Sequence, residues 1–390
     1  MMTTGAGGDR ADARADDRAG GRAQERDHRS AIRGAKAFWI ACICAATLAS
    51  GVAACGLGSF PSTPAETLRA LLQAVGFGVG QPVDPALSVV VVDIRLARVV
   101  LAWLTGASLA VAGCVFQGVL RNPLADAFTL GVSGGAAFGA SVAILSGLAG
   151  HAAFNGLGGG AGLLPLCALA GALLALGAVL ALGRAGAGMG GMGGAMRRET
   201  LVLAGIVVST FLSALISLLK SLDEESVASI VFWIMGSFQG RGFEHVRLAW
   251  SYMAVGLGLV LWRARELDLL ALGEGQARLL GLDAGRSRLW LLIGASLLSG
   301  AAVAVSGVIG FVGLVVPHLL RLVVGAGHRT LLPASALLGG LLLLWSDVLA
   351  RSILPGGAEL PVGVVTALIG GPFFCLLLGR SGRMNGRGQS

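Results

Sequence analysis

Charge is what this chain has least of. Asp, Glu, Lys and Arg make up 13% of its 390 residues, about half the share found in an ordinary soluble domain. That supply cannot cover a water-facing surface, which excludes a soluble globular protein. No GxxxxGK[ST] occurs, so a nucleotide that drives this protein must be bound by another chain. HExxH and CxxC are absent as well. The histidines (His28, His151, His245, His318, His328) are scattered. The cysteines Cys42, Cys44, Cys114, Cys167 and Cys375 fall within apolar runs, with Cys55 at the edge of one. They read as small core residues rather than metal ligands or disulfide partners. No catalytic cluster is found and no cofactor is expected. The net charge of +8 does not point to nucleic acid, because Arg and Lys stand mainly at the ends of apolar runs.

What is present is apolar length. Hydrophobic residues make up 55% of the chain and the mean hydropathy is +0.80. Many runs approach the ~20 residues that cross a bilayer. The 63 glycines suit close helix contacts in lipid. The expected architecture is an all-α polytopic membrane protein with ten transmembrane helices. The spans read 37–55, 99–120, 127–148, 162–182, 201–219, 246–262, 289–305, 311–324, 331–349 and 362–378. Ser226 to Phe238 is apolar but only 13 residues long, which suits a re-entrant or interfacial helix. Ten spans with the N-terminus inside put 22 of the 29 Lys/Arg on the cytoplasmic side. An eleventh would move the basic island at 263–288 outside, against the positive-inside rule.

Residues 1–36 have no apolar period and read as a disordered cytoplasmic tail. Residues 37–380 form the ten-span body, and 381–390 a second cytoplasmic tail. The loop RAGAGMGGMGGAMRRE, 184–199, reads as a flexible linker. Its Met189, Met192 and Met196 suit a soft metal or haem in principle, and low-complexity drift explains them as well. TGASLAVAG at 105–113 resembles SGAAVAVSG at 299–307. The two copies lie on spans running in opposite directions, as in an inverted-topology repeat, with chance similarity as the alternative.

Three stretches carry candidate function. In 267–282, LDLLALGEGQARLLGL, apolar residues at helical spacing flank Gly273-Glu274-Gly275. This suggests two short amphipathic helices around a glycine corner, and Leu270, Leu279 and Leu280 suit a docking face. In 116–140, Asn122-Pro123 stops a helix, and Gly131, Gly134, Gly135 and Gly139 allow close packing. Gln117, Asn122 and Asp126 are expected to cap that turn. In 305–329, Pro317 should kink its helix or loosen its ladder. His318 beside it is either a proton relay or bonded to a freed carbonyl. At the opposite membrane face, Asp347 stands one turn before Arg351, where an i,i+4 pair stabilises a helix end. Arg is also suited to gripping carboxylates on a partner.

At these motifs the chain resembles the FecCD-type permease subunit of ABC importers for iron-siderophores, haem and cobalamin. The resemblance runs over roughly residues 90–380. It rests on QGVLRNPLADAFTLGVSGGAAFGA, LVLAGIVVS at 201–209, WIMGSF at 233–238, LALGEGQARLLGL at 270–282, GVIGFVGLVVPHLLR at 307–321, DVLAR, and ELPVGVVTALIGGPFF from Glu359. It implies a ten-span, cobalamin-importer-permease-like fold in the bacterial inner membrane, with both termini cytoplasmic. It also implies a homodimer, an ABC ATPase subunit below and an extracytoplasmic substrate-binding protein above. By that resemblance Gly273, Glu274, Gln276, Ala277, Leu280 and Gly281 contact the ATPase. Arg95, Arg98 and Arg351 look like the arginines that pair with glutamates of the binding protein. Family members often have Pro before the second of the first two arginines, whereas Ala97 precedes Arg98 here. The function implied is permeation of a ferric-siderophore, haem or cobalamin powered by the ATPase. The alternative is a secondary transporter driven by an ion gradient, for which Asp347 is the main coupling candidate.

Overall fold

The computed structural model describes residues 38–58, 60–78, 81–148, 162–188 and 197–386. The 1–36 tail and most of the Gly/Met-rich loop lie outside them. Packing divides the chain into Met1–Ala46 and Thr47–Ser390. The described part of the first unit is the opening of helix α1 (Phe38–Gly56). All that follows lies in the second unit.

Among the described residues every regular element is helical. After α1 come α2 (Pro64–Ala74), α3 (Pro85–Ser88) and a π-helical stretch, Val89–Leu96, that runs straight into α4 (Ala97–Leu120). Then follow α5 (Val132–Leu145), α6 (Leu164–Gly188), α7 (Arg198–Leu222), α8 (Glu224–Met235) and α9 (Phe243–Trp262). The short pair α10 (Ala264–Leu272) and α11 (Glu274–Leu279) precedes α12 (Ala284–Ser306), α13 (Val312–Val324), α14 (His328–Ser352) and α15 (Val362–Gly386). Each of the ten spans read from the sequence meets a helix: α1, α4 to α7, α9 and α12 to α15. Six helices are long and apolar enough to cross a bilayer on those grounds alone. The short apolar segment at 226–238 is α8, twelve residues long.

Burial orders these helices. Nearly every residue of α4 and most of α12 are buried, and both are apolar all round, as central helices must be. Helix α7 keeps Leu203, Ile206, Val207 and Phe211 exposed on an apolar face suited to lipid. Helix α14 runs antiparallel along α4, and glycine sets how close they come. A Cβ on Gly106 would stand 2.2 Å from the carbonyl oxygen of Gly339. Where α4 crosses α13, a Cβ on Gly113 would stand 2.0 Å from the oxygen of Gly313. No other residue type permits such contacts, and van der Waals packing of this kind holds helices together in lipid.

One expected span, the third, is shorter than the sequence suggested. Helix α5 begins at Val132 rather than Ala127. The Asp126 carboxylate accepts from the N–H groups of Phe128 (3.0 Å) and Thr129 (3.1 Å), an Asx-type turn that competes with helix. Gly131 (φ 74°) then starts the helix from the left-handed region. Helices α4 and α12 run in opposite directions, as an inverted repeat requires. Gly113, however, lies inside α4, whereas its counterpart Gly307 (φ 74°) ends α12. Helix α15 continues past the expected end of its span, to Gly386.

Candidate functional site

The antiparallel pair α4 and α14 is pinned by polar contacts at both ends. At one end Arg98 lies between two carboxylates. Its Nε donates to both oxygens of Asp347 (3.1 and 3.0 Å) and its Nη2 to Asp347 Oδ1 at 2.8 Å. Nη1 and Nη2 donate to the two oxygens of Glu359, at 2.9 and 2.8 Å. This is the forked recognition to which guanidinium is suited. Arg351 donates to the carbonyls of Leu57 and Ala54, both at 2.8 Å, and its Nε stands 3.6 Å from Asp347. Arg95 donates to the Cys55 carbonyl, Ser62 Oγ and the Phe60 carbonyl. Arg95 and Arg351 thus staple the end of α1 and the segment after it to the start of α4 and to α14, while Arg98 ties α4 to α14 and to Glu359 before α15. Arg95 and Arg98 are 5% and 8% exposed, so neither presents a free guanidinium to a partner. Ala97 keeps the N–H that a proline would lack and donates it to Ile94, so the helix runs unbroken from Pro85 to Leu120.

Two cavities open beside this cluster and share Glu359. One, about 250 Å³, is lined by Phe60, Ile94, Arg95, Arg98 and Arg351. The other, about 300 Å³, is lined by Trp233, Gln239, Arg241 and Ser306. Arg241 donates to His245 Nε2 at 3.0 Å, and His245 Nδ1–H donates to Glu244 at 3.1 Å. Burial lowers the Arg241 pKa from its usual value, with the Glu244 charge opposing. The ends of α8 and α12 and the start of α15 meet here. Ser237 N–H bonds the Ser306 carbonyl (2.8 Å), and Val362 N–H bonds that of Gly236 (2.9 Å).

At the opposite end lie the two short helices. Gly273 (φ 119°) makes the corner expected between α10 and α11. Leu267, Leu270 and Ala277 are buried, so Leu270 belongs to the protein's own core rather than to a docking face. Leu272, Leu279 and Leu280 are exposed, Leu279 by 89%. Gln276 and Gly281 are exposed too. Glu274 pairs with Arg288 and stands 3.6 Å from Arg198, which ties α11 to α12 and α7. Asp268 on α10 accepts from His328 at the start of α14.

Between the two ends, Gln117 departs from its expected role. Asn122 and Asp126 do serve the turn, since Asn122 Oδ1 accepts from Leu124 N–H at 2.9 Å. Gln117 instead reaches α13. Pro317 has no N–H to offer the Gly313 carbonyl four residues earlier. Gln117 Nε2 donates to that carbonyl at 3.1 Å, while its Oε1 accepts from Arg321. The carbonyl freed by the proline is therefore met from α4 rather than by His318. Gly135 packs on the Gly171 carbonyl of α6, where a Cβ would stand 2.4 Å away, and Gly134 faces Ser209 and Leu212 of α7. Burial pushes Asp126 up to about 6, against the two N–H donors that favour its ionised form.

The description of the FecCD transport family matches residues 46–380. The chain belongs to this family. Among its relatives, the FecCD-family chain is 44% identical to the uncharacterised ABC transporter permease protein YvrB of Bacillus subtilis, over 80% of this chain and 84% of that one. It is 43% identical to the cobalamin import system permease protein BtuC of Halobacterium salinarum, over 74% and 73%. It is 40% identical to the hemin transport system permease protein HmuU of Yersinia pestis, over 73% and 82%. A solved structure described as an inward-facing conformation of the metal-chelate type of ABC transporter matches with a TM-score of 0.71 and 32% identity, covering 88% of this chain and 98% of that one. The FecCD family consists of membrane-embedded permeases, so the chain is a transport subunit.

The partners of Arg98 were out of reach of sequence reasoning. Asp347 lies 249 and Glu359 261 positions away. The one local signal was two carboxylates near span ends in a chain with few charges.

Proposed function

We propose that this FecCD permease carries a ferric-siderophore, or a related haem or cobalamin cargo, into the cytoplasm, powered by a separate ATPase. The observation that carries this reading is the division of polar chemistry between the two ends of one buried helix pair. At the α10–α11 end, exposed Leu272, Leu279 and Leu280 surround exposed Gln276. Apolar side chains on a short ordered pair in a basic island suit a soluble partner, and an ATPase is the partner an ABC permease needs. This end is then cytoplasmic, as the positive-inside rule expects, and both termini lie on that side. The Arg98 end then faces outward, toward a substrate-binding protein. Glu359 and the two cavities beside it suit the mouth of the path. In this reading Arg95, Arg98 and Arg351 shape the docking surface from beneath, and Glu359 is the charge nearest to it. Two copies in the membrane complete the pathway. The named relatives point to metal-chelate, haem and cobalamin cargo, and the permease mainly passes what the binding protein selects.

The ion-gradient alternative loses its candidate. Asp347, 1% exposed, is already neutralised by Arg98, with Arg351 nearby.

The test is uptake by vesicles holding this chain with an ATPase and a binding protein. Labelled ferric siderophore, haem and cobalamin are offered in parallel. Uptake of one of them that needs both ATP and the binding protein is the expected result. Uptake driven by a proton or sodium gradient without the ATPase overturns the proposal.

A further inference from the structure

Asp268 on α10 and His328 at the start of α14 are 60 positions apart in the chain and meet at one oxygen. The His328 main-chain N–H donates to Asp268 Oδ1 at 2.8 Å, and the imidazole Nδ1 stands 2.7 Å from the same atom. A carboxylate only accepts, so the ring carries its proton on Nδ1. The other ring nitrogen, Nε2, is buried without a hydrogen-bond partner among the described residues. It faces Gly118 of α4, where a Cβ would stand 3.0 Å from Nε2 and 2.9 Å from Leu267 Cδ1. His328 is 4% exposed. The ring is thus fixed on one side by Asp268 and walled on the other by a bare stretch of helix backbone.

This contact differs in kind from the others that hold α10. Buried Leu267 and Leu270 make apolar contacts, which tolerate sliding. Two donors converging on one charged oxygen do not, because such bonds are short and directional. The Asp268 charge also sits at the N-terminus of α14, where the helix dipole favours it. Helix α14 is 25 residues long, about 37 Å at 1.5 Å per residue. Near its far end Asp347 holds Arg98. The close approach of Gly106 and Gly339 in between makes α4 and α14 one rigid body. Helix α10 thus meets the α4–α14 pair in two ways, by apolar packing of Leu267 against Gly118 and by this directional polar contact.

We propose that the Asp268–His328 pair is a positioning latch that transmits movement of α10 into α14. Transport of cargo depends on it, while ATPase docking does not. The proposal rests on the reading of α10–α11 as the ATPase contact. Asp268 and His328 touch neither cargo nor nucleotide.

The experiment uses the full chain with its ATPase and binding protein in proteoliposomes. Two quantities are read: ATPase retained on purification, and cargo moved per ATP hydrolysed, using whichever labelled compound the unaltered permease carries. Asp268→Ala and His328→Leu keep the ATPase but lower cargo per ATP at least about fivefold, the low end of ordinary coupling between sites. The double variant is no worse than Asp268→Ala alone, because the ring contact that His328→Leu removes is one of the two that Asp268→Ala already removes, the main-chain N–H being the other. His328→Asn places an amide N–H near the site of Nδ1–H and restores the ratio. His328→Gln, with its amide one carbon further out, does not. A helix cap that only stabilised the fold would change melting temperature and leave this pattern absent. An unchanged ratio in Asp268→Ala with the ATPase retained overturns the latch. Should that variant fail to assemble, equal ratios for His328→Asn and His328→Gln overturn it instead. Full ATPase retention by Leu280→Asp overturns the docking reading itself, which separates the two failures.

Discussion

Removing Arg98 tests whether its role is internal. Arg98→Ala takes away five hydrogen bonds, three to Asp347 and two to Glu359. Asp347 is left 1% exposed with only the Arg351 Nε at 3.6 Å. Stripping one partner from a buried ion pair costs about 3–5 kcal/mol. That lowers the ratio of folded to unfolded protein by roughly two to four powers of ten. Arg98→Lys supplies a compact charge without the fork and recovers only part of the loss. The triple variant Arg98→Met, Asp347→Leu, Glu359→Gln removes both sides of the pair and recovers most of it, since apolar replacement of a whole buried pair is often neutral. Unfolding is followed by heating in nanodiscs, and binding-protein affinity is measured on the same samples. Arg98→Ala with unaltered stability and lost binding-protein affinity would refute the internal role and make this arginine a docking residue.

Two further predictions use other parts of the fold. Gly106→Val places a branched side chain where a Cβ already stands 2.2 Å from the Gly339 carbonyl; destabilisation of about 1–3 kcal/mol is expected from overpacking. Gly258→Ala, with nothing within 4 Å of its Cβ, gains up to about 1 kcal/mol of helix propensity. Equal effects at the two sites in thermal unfolding would contradict the packing described. Burial raises Asp126 to about 6, so the folded state holds its proton more tightly than the unfolded chain does. Stability from this group is full below its unfolded pKa of about 4 and falls as pH rises through 6, by at most about 1.4 kcal/mol per pH unit. Asp126→Asn keeps the acceptor oxygen and should flatten that slope between pH 4 and 6; a slope identical to the unaltered protein's would exclude Asp126 as its source.

The spans were legible because apolar length is a local property, and the corner at Gly273 because two amphipathic runs break there. The charge census that rejected an eleventh span agrees with α8 as a twelve-residue helix. What escaped was long-range or local in an unexpected way. The start of α5 was placed at Ala127 because ADAFTLG is apolar enough, while the side chain of Asp126 takes the N–H groups that a helix would use. Gln117 looked like a turn residue because it stands five positions before Asn122, and nothing local shows that its true partner is a carbonyl 196 positions on. Arg95, Arg98 and Arg351 were recognised as a group. That each is satisfied by its own chain is a matter of tertiary contact, which no spacing reveals. The Asp268–His328 contact is of the same kind.

Pro317 has a consequence for how this sequence can change. A proline usually interrupts a helix, yet here the interruption joins α13 to α4, because the carbonyl it frees is the one Gln117 holds. A residue with an N–H at position 317 would give that carbonyl a donor from its own helix as well, so the Gln117 bond would become one of two. Loss of Gln117 alone would leave the carbonyl without that donor in a part-buried place between α4 and α13. Gln117 cannot be lost by itself while Pro317 stays without leaving a polar group short of a partner. The order of change therefore matters: a donor at position 317 first leaves the loss of Gln117 harmless to this carbonyl, whereas the reverse order does not.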